Sequence, residues 1–159
     1  MTRQAKTLRV GVISDTHGLL RPQALAALRG SDLIIHAGDV GRPEVLEPLR
    51  ALAPLHVVRG NVDHGDWAAR LPMTARVDVG GHLVHVLHNI ADLDLDPPAA
   101  GLAAVIFGHS HKPSMETRDG VLWLNPGSAG PRRFDLPISL ARITVAGNEL
   151  RPGLVTLDV

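Results

Sequence analysis

Apolar residues fall along this chain in short runs, and the runs differ in kind between its two halves. The first, RVGVI at residues 9–13, sets β-branched Val10, Val12 and Ile13 around Gly11, the pattern of a strand buried on both faces. RPQALAALRG (21–30) then has Pro22 where a first helical turn tolerates it and Gly30 where a helix stops, which predicts a helix. DLIIHAGD (32–39) is a second short apolar run. RPEVLEPLRALAP (42–54) has helical spacing, with Pro48 expected to shorten or kink the helix. LHVVRGNVD (55–63) is a third strand. Strands alternating with helices predict parallel pairing through right-handed crossovers, hence an α/β layered fold.

From residue 75 onward the punctuation changes to that of hairpins. ARVDVGGHLVHVLHN (75–89) turns at Gly80-Gly81, SMETRDGVLWLNPGS (114–128) at Asp119-Gly120, and LPISLARITVAGNELRPGLVTL (136–157) at Gly147-Asn148. Between them AAVIFGHSH (103–111) reads as one more buried strand. NIADLDLDPPAAG (89–101) is a loop with one helical turn at most, because Pro97-Pro98 oppose a helix interior and the alternating Asp residues oppose a buried strand. The expected whole is one β-sandwich with helices outside it.

Composition narrows the partners. A chain of 159 residues suits one well-buried core, so a single domain over 1–159 is expected. Sixteen basic residues balance sixteen acidic ones, leaving no global field to gather nucleic acid or an anionic membrane surface. Any anion must be recognised locally. There is no cysteine, so metal ligands have to be nitrogen or oxygen. No segment has the length and apolarity of a signal peptide's core or a membrane span, and a cytoplasmic protein is the simplest expectation. Aromatic residues make up 3%, too few for the stacking platforms that hold single-stranded nucleic acid.

Chemistry enters where the runs end. Asp15 and His17 follow the first strand, Asp39 the second, Asn61 the third, His88 the Gly80-Gly81 hairpin, and His109 and His111 the AVIF strand. In open α/β sheets the loops beyond strand C-termini converge on one crevice, so these groups can meet although they run from residue 15 to residue 111. Carboxylates, imidazoles and an amide oxygen suit Mn, Fe, Zn, Co or Ni rather than Ca or Mg. Two such ions about 3.5–4 Å apart hold a water between them, lower its pKa and clamp the oxygens of a phosphoryl group. Two dications offset by two aspartates and a bridging hydroxide leave a positive site, which fits a phosphate ester.

The segments SDTHG, HAGD, VRGNVD, VLHN, FGHSHKP and LNPGSAGPRR, from residue 8 to about 145, resemble the calcineurin-like metallophosphoesterases, in particular their small YfcE-type phosphodiesterase branch. The resemblance implies Asp15, His17 and His111 on one metal, Asn61, His88 and His109 on the other, and Asp39 bridging, with Asp39, Asn61 and His17 as the catalytic positions. It implies two divalent transition-metal ions per chain, Mn first among them, and an α/β fold with four layers, an αββα sandwich of two mixed β-sheets. Two positions depart from the pattern. The wider superfamily often has a proton-donating histidine after the Gly-Asn pair, where this chain has Val62, and usually has glycine where Asn89 follows His88.

Each residue also has an ordinary reading. His36, His56, His64, His82 and His85 are expected to be hydrogen-bonded locally, with His36 a support for the site. Asp92, Asp94 and Asp96 read as a solvated loop, and Arg59, Arg132 and Arg133 as surface charge unless they fork onto phosphate. Arg59 and Ser128 are the two substrate-binding candidates. The expected activity is a metal-dependent phosphodiesterase acting on small or activated phosphoesters, with a small phosphoester as partner, no nucleic acid or membrane, and a homo-oligomer allowed. The alternative is a non-catalytic interaction scaffold of the same fold, as in the retromer cargo-binding subunit. A pure scaffold has no physical need for clustered imidazoles.

Overall fold

The computed structural model describes residues 7–159. Two five-stranded sheets lie face to face. The first has the order β10-β9-β1-β2-β3, built from β1 (Leu8–Ile13), β2 (Leu33–His36), β3 (Leu55–Val57), β9 (Ser139–Ala146) and β10 (Glu149–Thr156). The second has the order β4-β5-β6-β8-β7, from β4 (Thr74–Val79), β5 (His82–Leu87), β6 (Ala104–Ile106), β7 (Ser114–Arg118) and β8 (Val121–Asn125). Both sheets are mixed: β1, β2 and β3 run parallel, as do β5, β6 and β8, while β9, β10, β4 and β7 pair antiparallel.

The side chains sort by the two-residue period of a strand. Val10 and Val12 face the second sheet and pack with Val77, Val84, Val86, Ile106 and Leu124. Ile13 and Ile34 face outward against Ala24 and Leu28 of α1 (Pro22–Leu28) and Leu46 and Leu49 of α2 (Leu46–Leu52). Pro22 opens α1, where its missing N–H costs nothing. Pro48 sits in the first turn of α2, so it shortens that helix instead of kinking it; the preceding turn, Pro43–Val45, is a 3-10 turn. A four-residue helix, α3 (Asp66–Ala69), not anticipated from the pattern, places Trp67 against the same layer.

The three predicted hairpins are all present, β4–β5, β7–β8 and β9–β10. Among the described residues no α-helix lies on the outer face of the second sheet. That face is covered by residues 89–102, which hold one 3-10 turn, Ile90–Asp92, and lay Leu93, Leu95 and Leu102 over Val105, Val121 and Trp123. The α/β sandwich of two mixed sheets is thus as expected, with one of its two outer layers thin. No helix among the described residues is long and apolar enough to cross a membrane.

Candidate metal centre

Every predicted ligand stands just beyond the C-terminal end of a parallel strand, Asp15 and His17 after β1, Asp39 after β2, Asn61 after β3, His88 after β5, and His109 and His111 after β6. The two sheets present these ends side by side. Asp15, His17 and His111 form one group, and Asp39, His88 and His109 another, with the donor atoms of each group within 4.8 Å of one another. In the first, His111 Nε2 lies 3.4 Å and His17 Nε2 3.8 Å from Asp15 Oδ1, and the two Nε2 atoms are 3.2 Å apart. In the second, His88 Nε2 lies 3.2 Å from Asp39 Oδ2, and Asn61 Oδ1 is 3.0 Å from His109 Nδ1.

Asp39 joins the two groups. Its Oδ2 is also 3.6 Å from His17 Nε2, while its Oδ1 accepts the Val62 N–H at 2.9 Å. One carboxylate oxygen therefore faces both clusters, and the other is anchored to the backbone. Asn61 adjoins the second group through His109.

The donor set fits divalent cations on geometry. Asp15 Oδ1 and His88 Nε2 are buried, aimed into the cluster and without a hydrogen-bond partner, a costly state that coordination would relieve. His88 Nδ1 donates to the Ala37 carbonyl at 2.8 Å, so Nε2 presents its lone pair, as a histidine ligand requires. Burial raises the Asp15 pKa, yet His111, His17 and His88 together with the Ser14 hydroxyl outweigh it and hold the carboxyl well below the usual carboxylate range. Burial likewise acts to raise Asp39, but the His88 contact and the Val62 N–H prevail and its pKa falls. For His88 burial favours the neutral ring, and the negative charges of Asp39 and Asp15 beside it overcome that, raising its pKa. Both carboxylates are thus ionised at neutral pH.

Five of the seven described non-glycine residues with positive φ are these ligands: Asp15 (54°), His17 (47°), Asp39 (56°), His109 (74°) and His111 (62°). Left-handed backbone at bulky residues is strained and gathers at functional sites. Two glycines make the crowding possible. A Cβ on Gly60 would meet the backbone N and carboxylate of Asp39, and one on Gly108 would meet Ser14 Oγ and the Asp15 carboxylate.

The supports are buried polar groups. His36 is fully buried, and burial lowers its pKa to about 4 against the pull of Asp15 and Asp63, so it is neutral. Its Nδ1 accepts the Gly38 N–H at 3.1 Å, which leaves Nε2–H to meet Thr16 Oγ1 at 3.0 Å, and that hydroxyl donates to the Val40 carbonyl at 2.9 Å. This ties the Asp15 loop to the Asp39 loop, the support expected of His36. Asp63 went unnoticed as a support in the sequence pattern. Its buried carboxylate accepts three backbone N–H groups, Gly60 at 2.8 Å, Gly41 at 2.9 Å and Val40 at 3.2 Å, clamping the loops that carry Asp39 and Asn61. Asn125 was missed too. It donates to Gly108 O and Ser110 Oγ at 3.1 Å each and accepts from Gly127 N at 2.9 Å, holding the loop of His109 and His111.

The two substrate-binding candidates separate. Arg59 lines a cavity of about 150 Å³ beside the second group, with Asn61, Met73, Thr74, Leu87 and His88 among its walls. Its Nε donates to the Asp63 carbonyl at 3.2 Å, which leaves the two terminal nitrogens of the fork for a ligand. Ser128 is a correction. It is buried, its hydroxyl donates to the Asp15 carbonyl at 2.9 Å and accepts the Gly130 N–H at 3.3 Å, so it holds the Asp15 backbone and faces no substrate. Arg132 is exposed and donates to the Leu136 carbonyl of its own loop.

Comparison with known proteins places this geometry among relatives. The calcineurin-like phosphoesterase superfamily domain matches residues 8–148. A probable metallophosphoesterase of Methanocaldococcus jannaschii is 34% identical, with 96% of this chain and 83% of that protein aligned. A solved Streptococcus pneumoniae protein described as a predicted phosphoesterase superposes with a TM-score of 0.74 at 26% identity, covering 96% of this chain and 91% of that one. Vacuolar Protein Sorting 29 of Cryptosporidium parvum superposes with a TM-score of 0.81 at 21% identity, covering 96% and 92%, a likeness of fold alone.

Proposed function

The chain belongs to the calcineurin-like phosphoesterase superfamily, and from that premise we propose that it is a metal-dependent phosphodiesterase that hydrolyses small or activated phosphoesters at a centre holding two divalent cations. The observation that carries this reading is Asp39, whose Oδ2 lies 3.2 Å from a nitrogen of one ligand group and 3.6 Å from a nitrogen of the other. When loaded, such a centre supplies an acidified water and a clamp for the phosphoryl oxygens, with Mn the first candidate and Fe, Zn, Co or Ni also suited to these donors.

The chain's own groups do the rest. Asp15, His17 and His111 would hold the first cation, and Asn61, His88 and His109 the second, with Asp39 placed between them. Arg59, on the cavity wall with its terminal nitrogens free, would fork onto phosphoryl oxygens. That cavity, about 150 Å³, is the size that accepts a single six-membered ring, so the organic part of an aryl ester fits there beside Met73 and Leu87. Asp63 cannot protonate a leaving group, since its carboxylate is spent on three amides. Val62 offers no proton either. Substrates whose leaving oxygen is a weak base are therefore favoured, because the roughly 10²- to 10⁴-fold benefit of a general acid is missing.

Metal analysis of the purified protein, coupled to a series of aryl and alkyl phosphodiesters of graded leaving-group pKa, tests the reading. Two metals per chain and a steep dependence on leaving group are expected, and Asp39→Ala should lose both metal binding at one site and hydrolysis while keeping its circular dichroism. A flat leaving-group series would point to a proton donor, and His17 is the group to replace next. The likeness to Vacuolar Protein Sorting 29 supports a second reading, a non-catalytic scaffold. A metal-loaded protein inert toward the whole series would favour that one.

A further inference from the structure

The end of β1 opposite the metal centre carries a different concentration of charge. Arg9, Arg29 and Arg142 line one concavity of about 390 Å³, with Ser31 and Thr144 in the same wall. Their meeting follows from the fold. Val10 points into the core, so Arg9 points outward, and the β1–β9 register sets Arg9 opposite Thr144 and Gly11 opposite Arg142, which places both arginines on the outer face. The chain then leaves α1 through Arg29 and Gly30 at the rim of that face. Arg9 Nη1 lies 3.6 Å from where a Cβ on Gly30 would stand, so the missing side chain leaves room for the guanidinium.

None of these three guanidiniums forms an ion pair with a carboxylate among the described residues. The arginines paired with carboxylates among the described residues are Arg50, Arg118 and Arg151. Residues 1–6, MTRQAK, contain no Asp or Glu that could serve. Asp32 directs its carboxylate to the backbone N–H of Arg9 at 2.9 Å. Capping the end of α1 accounts for one arginine only: Arg142 gives its Nε and Nη2 to the Ala27 carbonyl, at 3.1 and 2.8 Å. That contact fixes its planar fork while leaving Nη1 free. In a chain with no net charge, three guanidiniums around one hollow repel one another, and an anion in the hollow relieves them.

We propose that this concavity is a second anion site, distinct from the metal centre, for a small molecule carrying more than one phosphate group. Its volume lies within the roughly 300–1,000 Å³ typical of small-molecule sites. Guanidinium groups match phosphate oxygens in geometry, and three positive charges around one hollow suit an anion with more charge than a single phosphate carries. The six-residue strand β1 separates the two sites by about 20 Å, so one small ligand does not span them.

Calorimetric titration of the metal-free chain with pyrophosphate at low ionic strength tests the proposal. Without cations the metal centre presents Asp15 and Asp39 and repels this probe. One site per chain is expected, weakening as salt is added. Arg29→Gln, at a side chain that makes no hydrogen bond in the described structure, should weaken binding about tenfold, roughly one charge-assisted contact. The double variant Arg9→Gln, Arg142→Gln should abolish it, and Arg50→Gln and Asp39→Ala should leave it unchanged. Absence of binding to the unmodified chain at millimolar pyrophosphate would overturn the site, as would unchanged affinity after all three cavity arginines are replaced. Equal affinity for citrate would overturn the phosphate assignment.

Discussion

Replacing Asp63 by Asn removes one oxygen from a three-way clamp and changes little else in size. The carboxylate accepts Val40 and Gly60 N–H through Oδ2 and Gly41 N–H through Oδ1. Asn has one acceptor. With its oxygen in the Oδ2 position it keeps Val40 and Gly60 but turns an NH₂ group toward the Gly41 N–H, and in the flipped orientation it loses two bonds instead of one. A hydrogen bond to a charged group is worth about 1.5–3 kcal/mol, and the remaining bonds weaken once the acceptor is neutral. The cost should be about 2–4 kcal/mol, a fall in melting temperature of about 5–15 °C for a chain of this size. Urea unfolding of the metal-free protein measures it.

The same substitution has a directional effect on metal binding, which separates a clamp from a general loss of stability. Val40 and Gly60 adjoin Asp39 and Asn61 in sequence, whereas among the described residues no hydrogen bond joins Asp63 to Asp15, His17 or His111. Affinity for the cation of the second group should fall about 10- to 100-fold, the usual effect of disturbing a ligand's support, while the first group is affected less. Calorimetric metal titration resolves the two. Asp63→Asn unfolding within about 0.5 kcal/mol of the unmodified chain, with an unchanged second metal site, would refute the clamp.

Gly60→Ala forces a methyl group onto the Asp39 backbone and carboxylate, so it should cost about 1–3 kcal/mol and abolish the shared position; unfolding and metal stoichiometry together check this. His88→Ala should bind one metal in place of two, and unchanged metal content would remove His88 from the ligands. The unfolded chain protonates His36 below its ordinary 6.5 whereas the buried ring resists to about 4; the metal-free protein should therefore lose about 2–3 kcal/mol between about pH 7 and 4.5. His85, lowered by burial and Arg76 against the pull of Asp94, acts with the same sign. His88, whose pKa is raised, acts with the opposite sign: its contribution grows as pH falls toward 6.5 and is constant below that, so it offsets part of the fall only at the upper end of the range. Urea unfolding across this range should show a shallower slope in His36→Leu, and an identical slope would assign the effect elsewhere.

The chain announces its strands and its ligands more openly than its supports. A buried strand needs only local apolar residues, and a hairpin only its turn glycines, so β1, β6 and the turns at Gly80-Gly81, Asp119-Gly120 and Gly147-Asn148 are readable in sequence. The placement of β9 beside β1 is not, because it joins residues 8–12 to residues 141–145 through register alone. Asp63 and Asn125 hold backbone amides and carbonyls, which have no residue type and leave no pattern. In sequence Ser128 is a substrate-binding candidate. Its burial under the Asp15 carbonyl is a tertiary fact. The layer over the second sheet is legible as loop in Pro97-Pro98 and the Asp alternation, whereas an αββα sandwich implies helices there.

The left-handed backbone at Asp15, His17, Asp39, His109 and His111 sets thermal endurance against chemistry in this protein. Each such residue costs about 1–3 kcal/mol, so together they draw on an amount comparable with the whole net stability of a domain. Glycine at any of these positions would relax the chain. Variants selected only for surviving heat should therefore accumulate glycine or asparagine at the rim of the sheets and fall silent toward metal, whereas selection that also demands metal binding has to find its stabilising substitutions elsewhere, in α1, α2 and the segment over the second sheet.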